Sequence, residues 1–243
     1  MSSRTLAVFD GDDTLWATEP LYDRARRRIR TLLCRFGIDG ARWELVERKI
    51  DLERVATQGF AWHRFPRSCL LAFDEVAPLC AEPTKWALKL VIFLIALAVY
   101  LEHPSLMPDA KIVLQEAEQR YDLVLLTKGE RWIQHRRIRQ SGLRHYFDRC
   151  VVVPAKTTET FTAIARFRTG QRLAISVGNS LPSDIEPALS AGFIGVYVDG
   201  YMWEHERRET SATNGQIMVV SDLRGALEAI RRITDTHWAN LLP

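Results

Sequence analysis

Cysteine is scarce and unpatterned in this chain. Only Cys34, Cys69, Cys80 and Cys150 occur in 243 residues, with no CxxC pair and no metal-ligand spacing. They read as reduced thiols in a cytoplasmic protein. Charge of one sign is also lacking. A net charge of +3 is too small to argue for nucleic acid or an anionic membrane as a partner. Histidine pairs are missing: His63, His103, His135, His145, His205 and His237 are too far apart for metal-ligand spacing, and Trp203-Glu204-His205-Glu206 lacks a second histidine at helical spacing. That cluster is expected to be structural. The N-terminal MSSRTLAVFD holds no apolar stretch of signal-peptide length, so none is expected. A membrane-length run is absent as well. Trp86 to Leu101 is apolar apart from Lys89, but its length at about 1.5 Å per residue falls short of a hydrocarbon core about 30 Å thick. A buried helix, or one packed on a partner subunit, is the expectation.

What is present is an ordinary globular balance, 47% hydrophobic and 26% charged, in a length that suits one domain or a core carrying an insertion. Leu6 to Phe9 is a compact apolar run ending at Asp10, as a buried strand would. From Thr18 the pattern turns helical: Thr18 is placed to cap, Pro20 suits a first turn, and Leu21, Ala25, Ile29, Leu32 and Leu33 recur at helical spacing. Asp39 and Gly40 break the chain before a second helix with Trp43, Val46, Ile50 and Leu52. Gly59, Pro66, Pro78 and Pro83 punctuate the next stretch, and no strand pattern stands out between 17 and 105. Beyond His103-Pro104, apolar runs at Leu123–Leu126, Val151–Val153, Leu173–Val177 and Ile194–Val198 alternate with helical stretches near 109–120, 130–141, 157–167 and 182–191, with a last helix near 222–233. Alternating strands and helices imply βαβ units and a parallel sheet. The expectation is an α/β core, 1–16 and 106–243, interrupted by an all-helical insertion over 17–105.

Functional residues of open parallel sheets gather at the carboxyl ends of the strands. Those ends carry Asp10 and Asp12, Thr127, and Asn179 with Asp184, and Lys156 stands just past the third run. Acids, a hydroxyl, an amide and an ammonium form the inventory of a Mg²⁺-assisted phosphoryl transfer. The motifs DGDDT at 10–14, LLTKG at 125–129, Lys156 in AKTTETF and VGNSLPSD at 177–184 stand in the order seen in haloacid dehalogenase (HAD) superfamily hydrolases of the phosphatase type, which the chain resembles over 1–16 and about 105–200. The helical insertion falls where that family carries its C1-type cap.

The resemblance implies a Rossmann-like three-layer core and an Asp10 nucleophile that passes through an aspartyl-phosphate. A free carboxyl with a reference pKa near 3.9 is ionised at neutrality and needs no separate base. Asp12 would protonate the leaving oxygen and then activate water, with its pKa lifted by neighbouring carboxylates. Mg²⁺ would sit on Asp10, Asp184, Asn179 and the Asp12 carbonyl. Thr127 and the backbone N–H groups of Lys128 and Gly129, together with Lys156, would take the phosphate. Asp13 occupies the variable position of DxDxT and is expected to point elsewhere. Two anions 4 Å apart repel by roughly 4 kcal/mol at an effective dielectric near 20, which is why cations are needed around Asp10. Asn179 stands where the family often has Asp and implies weaker metal binding.

RARRRIR at 24–30 is expected on the solvated side of its helix, because Ala25 and Ile29 face inward; a place near an anionic substrate is the alternative, and His63, Arg64 and Arg67 share it. Trp16 lines the cleft or sits in the core. The implied protein is a cytoplasmic, Mg²⁺-dependent hydrolase of a small-molecule phosphate ester, its helical cap setting selectivity. A homodimer contact through Leu90–Leu101, a substrate-facing wall there, and a core helix within the cap all remain readings of the apolar helix. A dehalogenase does not need Asp12; a phosphomutase, a protein phosphatase and a catalytically silent binding protein complete the alternatives.

Overall fold

Leu6–Phe9 forms the first strand, β1, with every residue buried. Successive side chains of a strand point to opposite faces, so Ala7 and Phe9 enter one apolar cluster and Leu6 and Val8 another. Burial on both faces is why the run is continuous rather than alternating. The computed structural model describes residues 4–166, 173–199 and 216–239. After β1 come β2 (Trp16–Ala17), α1 (Glu19–Arg35), α2 (Gly40–Gln58), α3 (Arg64–Val76), α4 (Glu82–Ala98), β3 (Ser105–Leu106), α5 (Ala110–Glu118), β4 (Asp122–Lys128) and α6 (Arg131–Ser141). The chain continues through β5 (Arg149–Val153), α7 (Thr158–Arg166), β6 (Ala174–Gly178), a wide π turn over Leu181–Ile185, α8 (Glu186–Ser190), β7 (Ile194–Val198), β8 (Ile217–Val220) and α9 (Leu223–Ala239).

The chain divides into two compact units, Met1–Ala17 with Pro104–Pro243, and Thr18–His103. The expected insertion over 17–105 is one residue shorter at its start and two at its end. Trp16 pairs with Leu106 and Ala17 with Ser105 as an antiparallel ribbon, and this ribbon belongs to the first unit. In that unit six parallel strands lie in the order β5-β4-β1-β6-β7-β8. Residues of α5, α6 and α9 pack on one face, and those of α7 and α8 on the other. This is a three-layer, Rossmann-like α/β core. The strand order reverses beside β1, and in such sheets the carboxyl ends at the reversal are where ligands bind.

The second unit is four helices, α1 packing on α2 and α4, and α3 on α2 and α4. Asp39 caps α2 by accepting from the Ala41 and Arg42 amides at 3.0 and 2.9 Å. Thr18 makes no side-chain cap bond. Pro66 lies in the first turn of α3 rather than breaking the chain, where a missing N–H costs nothing. Arg26, expected on the solvated side, and Arg64, read as either solvated or near an anionic substrate, are both buried. Arg26 donates to Glu47 at 2.8 Å, and Arg64 pairs with Asp51. Arg24 and Arg28 do face outward and meet Glu102 at 3.6 and 2.9 Å. In α4 only one stripe, Leu88, Ile92 and Ala96, is buried, whereas Trp86, Leu90 and Leu94 are exposed. The helix is thus buried along one stripe and carries an apolar outer face. Among the described residues no helix is long and apolar enough to cross a membrane. The Trp203–Glu206 cluster lies outside the described residues.

Burial lifts the Glu47 carboxyl to about 7 against the pull of Arg26. Folded Glu47 takes its proton near 7 and the unfolded chain's near 4.5, so its stabilising contribution is complete below the lower value and fades as pH rises through the upper one. The melting temperature is expected to fall between about pH 5 and about pH 7.5, and Glu47→Gln is expected to flatten that slope. Parallel curves for the two proteins would exclude Glu47 as the cause.

Candidate active site

Asp10 follows β1 at the point where the strand order reverses, and its amide donates to the Val177 carbonyl at 2.9 Å. The loop after it is tight. The Gly11 carbonyl accepts from the amides of Thr14, Leu15 and Trp16 at 3.3, 2.8 and 3.2 Å. Asp13 takes the left-handed backbone (φ 61°), a conformation that aspartate tolerates better than most residues, and its amide donates to the Trp16 carbonyl at 2.7 Å. The Thr14 hydroxyl lies 3.1 Å from both Asp10 Oδ2 and Asn179 Oδ1. It donates to one of them at a time.

Lys156 ties the site together. Its buried ammonium donates to Asp10 Oδ1, and to Asp184 Oδ1 at 2.5 Å. The wide turn after β6 aims Asp184 inward, and its Oδ2 accepts the Ser180 amide at 3.0 Å. Gly178 makes room for it, since a Cβ there would lie 2.3 Å from Asp184 Oδ2. Burial and then the Asp184 charge lift Asp10 to about 7, with Lys156 opposing. Burial alone would lower Lys156, but Asp10 and Asp184 outweigh it and hold its proton above the ordinary lysine range. Burial and a second carboxylate make the charge of Asp10 depend on nearby cations.

Thr127, at the end of β4, is 1% exposed, and its hydroxyl has no hydrogen-bond partner among the described residues. A buried polar atom left unsatisfied calls for a ligand oxygen or a water. Lys128 Nζ donates to Ser183 Oγ at 2.6 Å, which ties β4 to the Asp184 turn. The Gly129 amide, expected at the phosphate, donates instead to the Val153 carbonyl at 2.9 Å; the sheet has already claimed it.

Among the described residues, Asp12 has no carboxylate as a hydrogen-bond or ion-pair partner. Trp16 Nε1 donates to Oδ1, and Gln134 Nε2 and Arg137 Nη1 donate to Oδ2. Trp16 is a buried indole that reaches a functional carboxylate, so it belongs to the core and to the site together. Gln134 and Arg137 escaped the sequence reading. Their signal is their i, i+3 spacing on the helix that follows LLTKG, which puts them on one face.

Among the described residues no three His, Cys, Asp or Glu side chains converge as a cation site. A divalent cation would draw on the Asp10 and Asp184 carboxylates, the Asn179 amide oxygen and the Asp12 carbonyl, and oxygen ligands suit a hard ion such as Mg²⁺. The Lys156 ammonium bridging the two carboxylates marks the same spot as one that attracts positive charge. These residues fit the ion.

Solved structures decide the fold. The chain is similar to a haloacid dehalogenase-like family hydrolase from Xanthomonas campestris at a TM-score of 0.75 and 24% identity, over 95% of this chain and 96% of that one. The chain has the HAD fold. Other HAD-fold relatives are a magnesium-bound HAD-hydrolase of Bacillus subtilis (TM-score 0.65, 18% identity, 94% of this chain and 99% of that one) and L-2-haloacid dehalogenase from Xanthobacter autotrophicus (TM-score 0.62, 19% identity, 95% and 99%). In sequence the chain matches N-acylneuraminate-9-phosphatase of Homo sapiens at 33% identity over 99 residues, and that of Rattus norvegicus at 31% over 98. Each match covers 38% of this chain and 40% of the relative. No family model matches the chain.

Proposed function

We propose that this HAD-fold chain is a Mg²⁺-dependent phosphomonoester hydrolase that acts on a small phosphorylated metabolite through an aspartyl-phosphate. The observation that carries the reading is the pairing, on one tight loop, of the buried Asp10 with Asp12, whose side chain is 26% exposed. That pairing supplies a nucleophile and a proton donor in one rigid piece. A halide leaving group needs no proton, so a dehalogenase would leave Asp12 without work. The N-acylneuraminate-9-phosphatase match supports phosphate ester chemistry.

Asp10 attacks phosphorus as the bond to the ester oxygen breaks, and Asp12 gives that oxygen its proton. Water then attacks phosphorus, Asp12 takes the water's proton, and Asp10 is freed with inorganic phosphate. Lys156 holds the attacking carboxylate and places positive charge beside the phosphate. Thr127 offers it a hydroxyl. Mg²⁺, held by Asp10, Asp184, Asn179 and the Asp12 carbonyl, would supply Lewis-acid stabilisation of the transferring group.

Phosphate release from a generic aryl phosphate is expected with Mg²⁺ and to fall by at least about 10²-fold in excess EDTA, with recovery on adding Mg²⁺ back. Activity unmoved by EDTA would remove the metal from this reading. Absence of turnover across a panel of phosphate esters, with Mg²⁺ present, would remove the hydrolase.

A further inference from the structure

Among the described residues, the Asp12 carboxylate is met by three donors and no acceptor. Trp16 Nε1 lies 2.6 Å from Oδ1, Gln134 Nε2 2.8 Å from Oδ2, and Arg137 Nη1 2.6 Å from Oδ2. A carboxylate has about four lone-pair positions, two on each oxygen. Both positions on Oδ2 are therefore filled, while among the described residues Oδ1 keeps one open.

The donors are also hard to move. Trp16, Gln134 and Arg137 are 0%, 3% and 4% exposed. The indole lies against Gly11, where a Cβ would sit 2.5 Å from the ring, so glycine lets the ring come close enough to reach Asp12. Gln134 Nε2 also donates to the Lys128 carbonyl at 2.9 Å, which ties the grip on Asp12 to the end of β4. A partly exposed carboxylate could be satisfied by water. Burying a guanidinium and an amide to hold it is costly and calls for a reason other than solvation.

We infer that Trp16, Gln134 and Arg137 are positioning residues that lock the Asp12 carboxyl, leaving the open position on Oδ1 as the one that serves the ester's leaving oxygen. The inference rests on the phosphatase reading above. In the first step the Asp10–phosphorus bond forms, the phosphorus–oxygen bond of the ester breaks, and the proton on Oδ1 passes to the departing oxygen. In the second, water attacks phosphorus as the Asp10–phosphorus bond breaks, inorganic phosphate leaves, Asp10 is regenerated and the water's proton returns to Asp12 Oδ1. No oxidant or further reactant is needed.

A placed proton matters most when the leaving oxygen would otherwise depart as an alkoxide. A 4-nitrophenolate is stable as an anion and hardly needs one. Misplacing Asp12 should thus produce a loss that depends on the leaving group, which general destabilisation would not. The constant kcat/KM covers the steps through leaving-group departure only, so it isolates this effect from the later hydrolysis.

The test compares kcat/KM on glycerol phosphate and on 4-nitrophenyl phosphate for the whole chain with Mg²⁺. Arg137→Met is expected to lose about 10²-fold on the alkyl ester and less than about 5-fold on the aryl ester. Arg137→Lys is expected to recover at least about 10-fold of that alkyl loss. Gln134→Met should shift the ratio in the same direction by about 10-fold, and it carries the comparison should Arg137→Met fail to fold. Equal losses on both esters, or none on either, would overturn the positioning role. Wild-type protein silent on both, or an Asp10→Asn variant still active, would bring down the phosphatase reading itself, and this inference with it.

Discussion

Asp10→Asn is expected to cut phosphate release by at least about 10³-fold, the scale of removing a nucleophile that forms a covalent intermediate. The substitution keeps the shape and removes one negative charge. Lys156 and Asp184 then balance one against one, where the wild-type trio carries a net negative charge. The folded state loses a repulsion between buried carboxylates, so the melting temperature should be unchanged or higher. Activity that vanishes while stability holds is the signature of chemistry and not of unfolding. Acid-quenched protein incubated with labelled substrate gives a second readout: wild type should retain label as an acyl phosphate, and the variant none. A variant that keeps more than about a tenth of the wild-type rate would move the nucleophile elsewhere.

The second large effect lies in the helical unit and is one of stability. Arg26→Met should cost about 3–5 kcal/mol, the range for breaking one side of a buried ion pair. Glu47 is fully buried, its Oε2 is held by Arg26 at 2.8 Å, and its Oε1 has no partner. Without Arg26 the carboxyl must take up a proton or remain a buried, uncompensated charge. The double variant Arg26→Met, Glu47→Met should recover much of the loss, because two apolar side chains of similar length remove both desolvation penalties. Chemical denaturation of the two variants and wild type checks this. A single-variant cost below about 1 kcal/mol would mean that Glu47 takes up a proton at little cost once Arg26 is gone, and that the ion pair contributes little to holding the two helices together.

Asp10, Thr127 and Asn179 were legible as strand-end residues because each lies in or directly after a strand of the sheet. Asp10 after Leu6–Phe9, Thr127 in Asp122–Lys128 and Asn179 after Ala174–Gly178 are placed by chain continuity. A parallel sheet buried on both faces writes itself as continuous apolar runs, so the α/β class and the helical insertion could be read from local pattern. The last strand, Ile217–Val220, is an edge strand with no fully buried residue, and its pattern was too weak to announce it.

What the linear pattern could not carry was partnership across elements. Arg26 belongs to the inward stripe of Tyr22, Ile29 and Leu33, but a charged residue on that stripe is stable only if an acid from another helix meets it, and Glu47 does so from a neighbouring helix. Gly129 looked available until the adjacent strand supplied the Val153 carbonyl to its amide. Asp12 seemed set among carboxylates because its neighbours in sequence are Asp10 and Asp13, whereas in space its partners are an indole and two side chains from a helix more than a hundred residues away. The sequence by itself determined which polar groups stand at the carboxyl ends of the strands, since strand burial and chain continuity are local. Only the tertiary structure decided how those groups are charged, paired and aimed, because desolvation and hydrogen-bond geometry depend on neighbours the chain brings together from afar.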